Sequence, residues 1–313
     1  MTQSILNDFN LTYIDETAKS IICLNLNCQE SDIQNVQLLT GGNTNHTFAF
    51  TVFGVRYVYR KPGAMTETMI DRRMEQFACE QAAKLRIGEE ILYMDETGIK
   101  IAKFIQQTRE FDFSYTSDKQ AGAALLRKMH DACITVPFRF DHWQQIESMK
   151  ACMDRQTKMR WASLSQVNVI EDWVQQLDVY VKQDKWPCCL GHGDPKGPNI
   201  LVSEKAYTLI DWEYAGGKDI GYDISHYAAE IGRARTGGNW ELAPEDAAWY
   251  FNTTPTTAQY RHILACFAIE EYFWTIWAIQ KNRMDIVARC YDNAKRYAKR
   301  ALKMYTSKEA AEG

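Results

Sequence analysis

The stretch from Leu190 to Tyr214, LGHGDPKGPNILVSEKAYTLIDWEY, constrains this chain more than any other part of it. Two short apolar runs, Ile200-Leu201-Val202 and Tyr207-Thr208-Leu209-Ile210, flank the polar turn Ser203-Glu204-Lys205-Ala206, a pattern that predicts a small hairpin. The chemistry-bearing residues fall at its ends. His192, Asp194 and Asn199 lie in a Gly/Pro-punctuated loop before the first strand, and Asp211 follows the second. Two carboxylates and an amide can thereby converge on one point, and strand ends held by a rigid scaffold are where catalytic groups usually lie.

His192-x-Asp194-x4-Asn199, followed by Asp211 after an apolar strand, is the order of parts in a kinase-type phosphotransferase. In such enzymes an Asp accepts the hydroxyl proton, an Asn five residues on holds Mg²⁺, and a second Asp holds metal against the phosphates. Mg²⁺ wants hard oxygen ligands, and the nucleophile needs its own carboxylate. A polar turn with a capping Asp would account for one or two of these groups but has no need of all four in this order.

Leu209-Ile-Asp-Trp-Glu-Tyr-Ala215 and Tyr222-Asp-Ile-Ser-His-Tyr-Ala-Ala-Glu230 resemble the choline/ethanolamine kinase family. The resemblance extends to Gly41-Gly-Asn-Thr-Asn45, Tyr57-Val-Tyr-Arg-Lys-Pro-Gly63 and Trp274-x-x-Trp277, and so runs from about Val36 to Trp277. It implies an α+β, bilobal, protein-kinase-like fold. The small, mainly antiparallel β N-lobe would span residues 1–106 and the larger helical C-lobe residues 107–313. It also implies an ATP- and Mg²⁺-dependent transfer of the γ-phosphoryl group to a small amino alcohol, choline first. Ethanolamine, thiamine or an aminoglycoside are the alternative acceptors, since His192-Gly-Asp194 is also how aminoglycoside phosphotransferases write the motif. A nucleotide-binding pseudokinase is disfavoured because Asp194, Asn199 and Asp211 are all present, and a protein kinase because no D-F-G or A-P-E element frames an activation loop.

Composition agrees with an enzyme of this kind. A chain of 313 residues has room for about two domains, and a net charge of −4 offers no basic footprint for nucleic acid or anionic lipid. No apolar run approaches the ~20 residues that span a bilayer. The start, MTQSILNDFN, lacks the basic and apolar regions of a signal peptide. Nine scattered cysteines, an odd number, read as buried thiols of a reducing compartment. These features predict a cytoplasmic protein without membrane insertion.

The N-terminal segment around Ile14 to Leu26 predicts one or two short helices packed on the N-lobe. Strand patterns follow from Val36, with Thr47 to Phe53 and Val55 to Arg60 each alternating. Gly41-Gly42 reads alone as an ordinary hairpin turn. Placed ahead of Arg60 and Asp194, it becomes the candidate phosphate-covering loop, with Thr44 and Asn45 beside it. Either Arg60 or Lys61 can supply the strand cation for the α/β-phosphates, but neighbours on a strand face opposite ways. The family pattern matches Arg60 and gives it Glu75 as partner on the helix Ile70 to Leu85, with Glu80 as competitor. Backbone near Ile105 would meet the adenine edge, by fold analogy.

Within the central motif Asp194 is assigned as base or orienting group, Asn199 and Asp211 as Mg²⁺ ligands, and His192 as a brace. Lys196 reads equally as a contact to the transferring phosphoryl group or as a solvated lysine. Glu213 belongs either to a second metal site or to the hydrogen bonding of the loop. Ser117 to Cys133, Asp141 to Lys158 and Val167 to Lys182 predict C-lobe helices, His130 reads as a packing histidine, and Asp223 as a helix cap that also braces the loop. A quaternary ammonium cannot donate hydrogen bonds, so its pocket needs aromatic faces and a carboxylate. Glu230, Trp274 and Trp277 match the family's pocket positions, the tryptophans sharing one helix face, although such a stripe taken alone is more often core.

Overall fold

The computed structural model describes residues 14–39, 45–63, 70–137 and 139–307. In chain order its elements are α1 (Glu16–Leu26), β1 (Gln34–Leu39), β2 (Asn45–Val52), β3 (Val55–Pro62), α2 (Arg72–Lys84), β4 (Ile91–Met94) and β5 (Lys100–Lys103). Then come α3 (Thr116–Asp131), α4 (His142–Ala151), α5 (Arg155–Ala162), α6 (Val167–Asp184), β6 (Cys188–Gly191), β7 (Ile200–Val202), β8 (Tyr207–Leu209) and β9 (Gly216–Asp219). The chain closes with α7 (Ile220–Arg235), α8 (Pro244–Phe251), α9 (Thr257–Gln280) and α10 (Met284–Thr306). They form two compact units. One runs up to Arg109 and adds Leu201–Glu213; the other comprises Glu110–Ile200 and the chain from Tyr214 onward.

The first unit is built on an antiparallel sheet of order β1-β2-β3-β5-β4. Val52 pairs with Val55 across the two-residue loop Phe53-Gly54, whose φ values of 50° and 76° are both positive. That geometry matches the right-handed twist of the flanking strands. Helix α1 begins at Asp15, whose carboxylate accepts the Ala18 N–H at 2.8 Å. It lays Ala18 and Ile22 against Ile33, Val36, Phe50, Val52, Tyr59 and Ile101. Complete burial of a side chain such as Ile22 is worth about 1.5–3 kcal/mol.

Strand periodicity then decides between the two adjacent cations on β3. Tyr59 enters the α1 core, and Lys61, on the same face, is half exposed and pairs with Asp15 at 2.7 Å. Arg60 therefore points to the opposite face, where it is buried. The β7–β8 hairpin belongs to this unit as well. Its Leu209 N–H donates to Ile87 O at 2.7 Å, and Val202 O accepts the Thr108 N–H at 2.9 Å.

The second unit is helical and centres on α9, which is buried around almost its whole circumference and packs against α4, α5, α6, α7 and α10. The two-stranded sheet of β6 and β9 lies on this bundle, close to α3 and α7. The segment expected to be helical from Asp141 to Lys158 is in fact two helices: α4 ends at Cys152, and Asp154 caps α5 by accepting the Thr157 N–H at 2.7 Å. A second correction concerns the cysteines. All nine are free thiols, but Cys133, Cys152 and Cys188 are exposed because they sit at helix ends and at the start of β6, outside the packed stripes. Among the described residues, no helix is long and apolar enough to cross a membrane.

Phe267 tests the centre of the bundle, being 1% exposed and edge-on to Tyr297 at 4.9 Å. Phe267→Ala should cost about 3–5 kcal/mol, read as a fall in the urea midpoint of the helical unit. A shift below 1 kcal/mol would show that α9 and α10 are not packed this way.

Candidate active site

The loop after β6 is held from behind by one carboxylate. Asp223, fully buried in α7, accepts the His192 N–H at 2.7 Å and the Gly193 N–H at 2.8 Å, and His130 Nε2 approaches it at 3.1 Å. Burial opposes its charge, but the hydrogen bond and charge of His130, with Lys218 and His192, outweigh that and hold the Asp223 carboxyl well below its ordinary value. The expected brace is present; the expected helix cap is not. Asp219 caps α7 instead, accepting the Gly221 N–H at 2.7 Å. Gly193 has φ +84°, and a Cβ there would strike Tyr214 O and Lys218 Nζ, so only glycine lets the loop turn at this point.

The turn places Asp194 at the mouth of the loop, 4% exposed. Its backbone N–H donates to His192 Nδ1 at 3.2 Å, which fixes the imidazole as a spacer. Its Oδ2 accepts from Lys196 Nζ at 2.5 Å and from Asn199 Nδ2 at 3.0 Å. Asn199 gives its other N–H to the Asp194 carbonyl at 2.9 Å, so its amide oxygen is what it has left to offer as a ligand atom. Lys196, read from sequence either as phosphoryl contact or as solvated lysine, is here an ion-pair partner of Asp194.

Helix α7 carries Asp223, His226 and Glu230 at i, i+3 and i+7, on one face. His226 Nδ1 lies 2.8 Å from Glu270 Oε1, and its Nε2 lies 3.7 Å from Asp194 Oδ1. Trp274 Nε1 also donates to Glu270 Oε1, at 3.4 Å. Trp274 meets Trp277 edge to face at 5.6 Å and Tyr214 at 5.0 Å. Glu230, expected as a pocket carboxylate, accepts from Arg233, the cation one helical turn on, through Nε at 3.2 Å and Nη2 at 2.8 Å. Arg235 is likewise taken up by Asp246, through two contacts of 2.9 Å.

The first unit holds a separate buried ion cluster. Arg60 Nη1 lies 2.5 Å from Glu75 Oε1 and 3.7 Å from Glu213 Oε1. Arg72 bridges the same two acids at 2.6 and 2.9 Å. Asn45 Nδ2 donates to Glu213 Oε1 at 3.1 Å, and its Oδ1 is buried with no partner among the described residues. Burial opposes the charge on Glu75, yet Arg60, with Lys100 and Arg72, holds its pKa below the usual value. Glu80, the competitor of Glu75, is exposed. Asp211 ends the β7–β8 hairpin in a left-handed conformation, φ +67°, which few residues other than glycine, asparagine and aspartate adopt. Ile105 is half-buried just beyond β5, while Gly41, Gly42 and Thr44 lie outside the described residues.

Sequence reasoning missed Arg72, His226 and Glu270. A helical-spacing signal was available for each, since Arg72 stands three residues before Glu75, His226 three after Asp223, and Glu270 four before Trp274.

An antiparallel sheet with one helix bearing Glu75, followed by a helical unit with an Asp–Asn loop, defines a kinase-like protein. The structure of the choline kinase LicA from Streptococcus pneumoniae matches at a TM-score of 0.74 with 18% identity, covering 91% of this chain and 98% of that one. A structure of LicA in complex with AMP matches at 0.73 with 17% identity, covering 93% and 99%. In sequence, protein LicA of Haemophilus influenzae is 25% identical over 204 residues, which is 59% of this chain and 55% of the relative. The choline/ethanolamine kinase family matches residues 36–239, and the chain belongs to that family.

Asp223 carries a pH signature. Its folded value is depressed, so the stability it contributes is present above the unfolded carboxylate's value, about 4, and is lost as pH falls below that. Asp223→Asn should therefore flatten the acid limb of a Tm-against-pH curve between about pH 5 and 3. Parallel curves for variant and parent would show that the carboxylate charge does not hold the loop.

Proposed function

We propose that this protein moves the γ-phosphoryl group of ATP to the hydroxyl of a small amino alcohol, choline first. The observation that carries the acceptor is the edge-to-face Trp274–Trp277 pair with Tyr214 beside it, linked through Glu270 and His226 to the Asp194 loop. Aromatic faces next to a carboxylate attract a quaternary ammonium without needing hydrogen bonds from it. Family membership supports the reaction class. The AMP bound by a LicA structure supports an adenine nucleotide as donor.

In this reading the acceptor hydroxyl oxygen attacks the γ-phosphorus, the bond to the β-phosphate oxygen breaks, and ADP leaves. The hydroxyl proton passes to Asp194. Oδ2 of that carboxylate is already taken by Lys196 and Asn199, which leaves Oδ1 for the proton. Arg60, held by Glu75, is the candidate for the α/β-phosphates, with Asn45 and the chain at Ile105 on the nucleotide side. For Mg²⁺ the candidate ligands are the Asn199 amide oxygen, left over by its two N–H bonds to Asp194, and the Asp211 carboxylate, both hard oxygens of the kind this ion prefers. When bound, the ion would neutralise phosphate charge.

Ethanolamine is a second reading favoured by one observation. Glu270 Oε2 is buried with no partner among the described residues, and a primary ammonium can donate to such an oxygen where a quaternary one cannot.

Trp277→Ala should raise the KM for choline at least tenfold, about 1.4 kcal/mol, and leave the KM for ATP within about twofold. Equal changes in both constants would return Trp277 to a purely packing role. Asp194→Ala should lower kcat by at least a hundredfold, in keeping with general-base loss, while nucleotide affinity stays near that of the parent. Substantial remaining turnover would remove Asp194 from the mechanism.

A further inference from the structure

His226 and Glu270 form an ion-paired couple that the reaction as outlined does not use. The imidazole is 7% exposed, Glu270 is 2% exposed, and 2.8 Å separates Nδ1 from Oε1. Burial alone would disfavour the charged ring. The Glu270 carboxylate, with Asp194 and Glu230 further off, outweighs this and raises His226 to about 9, so the ring is an imidazolium at neutral pH. Its other nitrogen, Nε2, points at Asp194 from 3.7 Å, beyond hydrogen-bond range. The ring thus attracts Oδ1 without occupying the lone pair that a substrate hydroxyl would use.

We propose that His226, held by Glu270, is the positioning residue for Asp194, fixing its free oxygen Oδ1 toward the acceptor hydroxyl. This rests on the reading of Asp194 as the proton acceptor. Two features single the couple out from an ordinary packing pair. A buried ion pair is seldom more stable than apolar side chains of the same volume, so stability gives no reason to place one here. The couple also joins the two halves of the acceptor site, since Glu270 Oε1 takes the Trp274 indole N–H at 3.4 Å while His226 reaches the base. Glu270 Oε1 is thus the atom through which Trp274 and His226 are connected, the ring being held more closely, at 2.8 Å, than the indole.

The lever is side-chain specific. Lys196 and Asn199 both bind Oδ2 and resist rotation of the carboxylate about one edge only. Without His226 the Oδ1 edge has no cationic neighbour within 4 Å among the described residues' ion pairs, and the carboxylate is free to tip toward Lys196.

A double-mutant cycle tests the idea in the 313-residue chain. His226→Gln and the isosteric Glu270→Gln are each compared with the parent, alone, together and in an Asp194→Asn background, by kcat and by KM for ATP and acceptor. The proposal expects each single variant to lose at least tenfold in kcat with the ATP KM within twofold. The double variant should be no slower than His226→Gln, and neither substitution should slow the residual rate of Asp194→Asn further. A kcat within twofold of the parent for both single variants overturns the proposal. So does an equal fold-loss in the Asp194→Asn background, which marks the couple as structural. If His226→Gln fails to fold, Glu270→Gln decides by the same criteria. Turnover with ethanolamine but not choline leaves the cycle to be read with ethanolamine and costs only the acceptor assignment. Absence of turnover with every acceptor and with water overturns both the functional reading and this one.

Discussion

The loop from Gly191 to Asp194 depends on one buried charge. Asp223 has no access to solvent, so its carboxylate must be satisfied by protein groups, and it recruits two consecutive backbone N–H groups together with His130. Those contacts dictate the path of Gly191 to Asp194, and the path dictates that residue 193 adopt a left-handed backbone and be glycine. Lys218 completes the arrangement from β9, donating to Tyr214 O at 2.7 Å and lying 4.1 Å over the Phe140 ring. The position of Asp194 is thus the far end of a chain of constraints that starts inside α7.

The same economy of charge is seen in the first unit. Two buried guanidinium groups and two buried carboxylates neutralise each other, and removing any one would strand its partners at a cost of about 3–5 kcal/mol. Glu213 comes from the segment just after the β7–β8 hairpin; residues Leu201–Glu213 belong to the sheet-bearing unit, although the loop before them belongs to the helical one. Arg60 is held in one orientation by this cluster and by Gly98 O, which accepts from its Nη2 at 2.9 Å.

Much of this was legible in the chain because local rules and tertiary packing agree. Period-two alternation separated Arg60 from Lys61, and the two apolar runs around Ser203 to Ala206 paired as the hairpin they suggest. The α+β kinase-like architecture was implied by the resemblance of these motifs to the choline/ethanolamine kinase family. Partners chosen across long sequence separations were not legible. Arg72 meets Glu213 over 141 residues, and His226 meets Glu270 over 44; no periodicity announces either pairing. The Glu230–Arg233 pair is of the opposite kind: it is local, a cation three residues on being a ready ion-pair partner. The break at Cys152 to Asp154 was hidden because apolar residues continue at helical spacing through it, and only the capping Asp154 marks the restart.

The central claim is that the Asp194 loop and the aromatic cluster around Trp274 together phosphorylate a small amino alcohol. Phosphorus-31 NMR of the purified protein with ATP, Mg²⁺ and, in separate samples, choline, ethanolamine, thiamine and kanamycin addresses it most directly. The account predicts a new phosphomonoester resonance, with matching loss of the ATP γ-signal, in the choline sample first and weaker or absent signals with thiamine and kanamycin. A phosphomonoester formed from kanamycin or thiamine alone, or ATP loss that yields only inorganic phosphate in every sample, would contradict it.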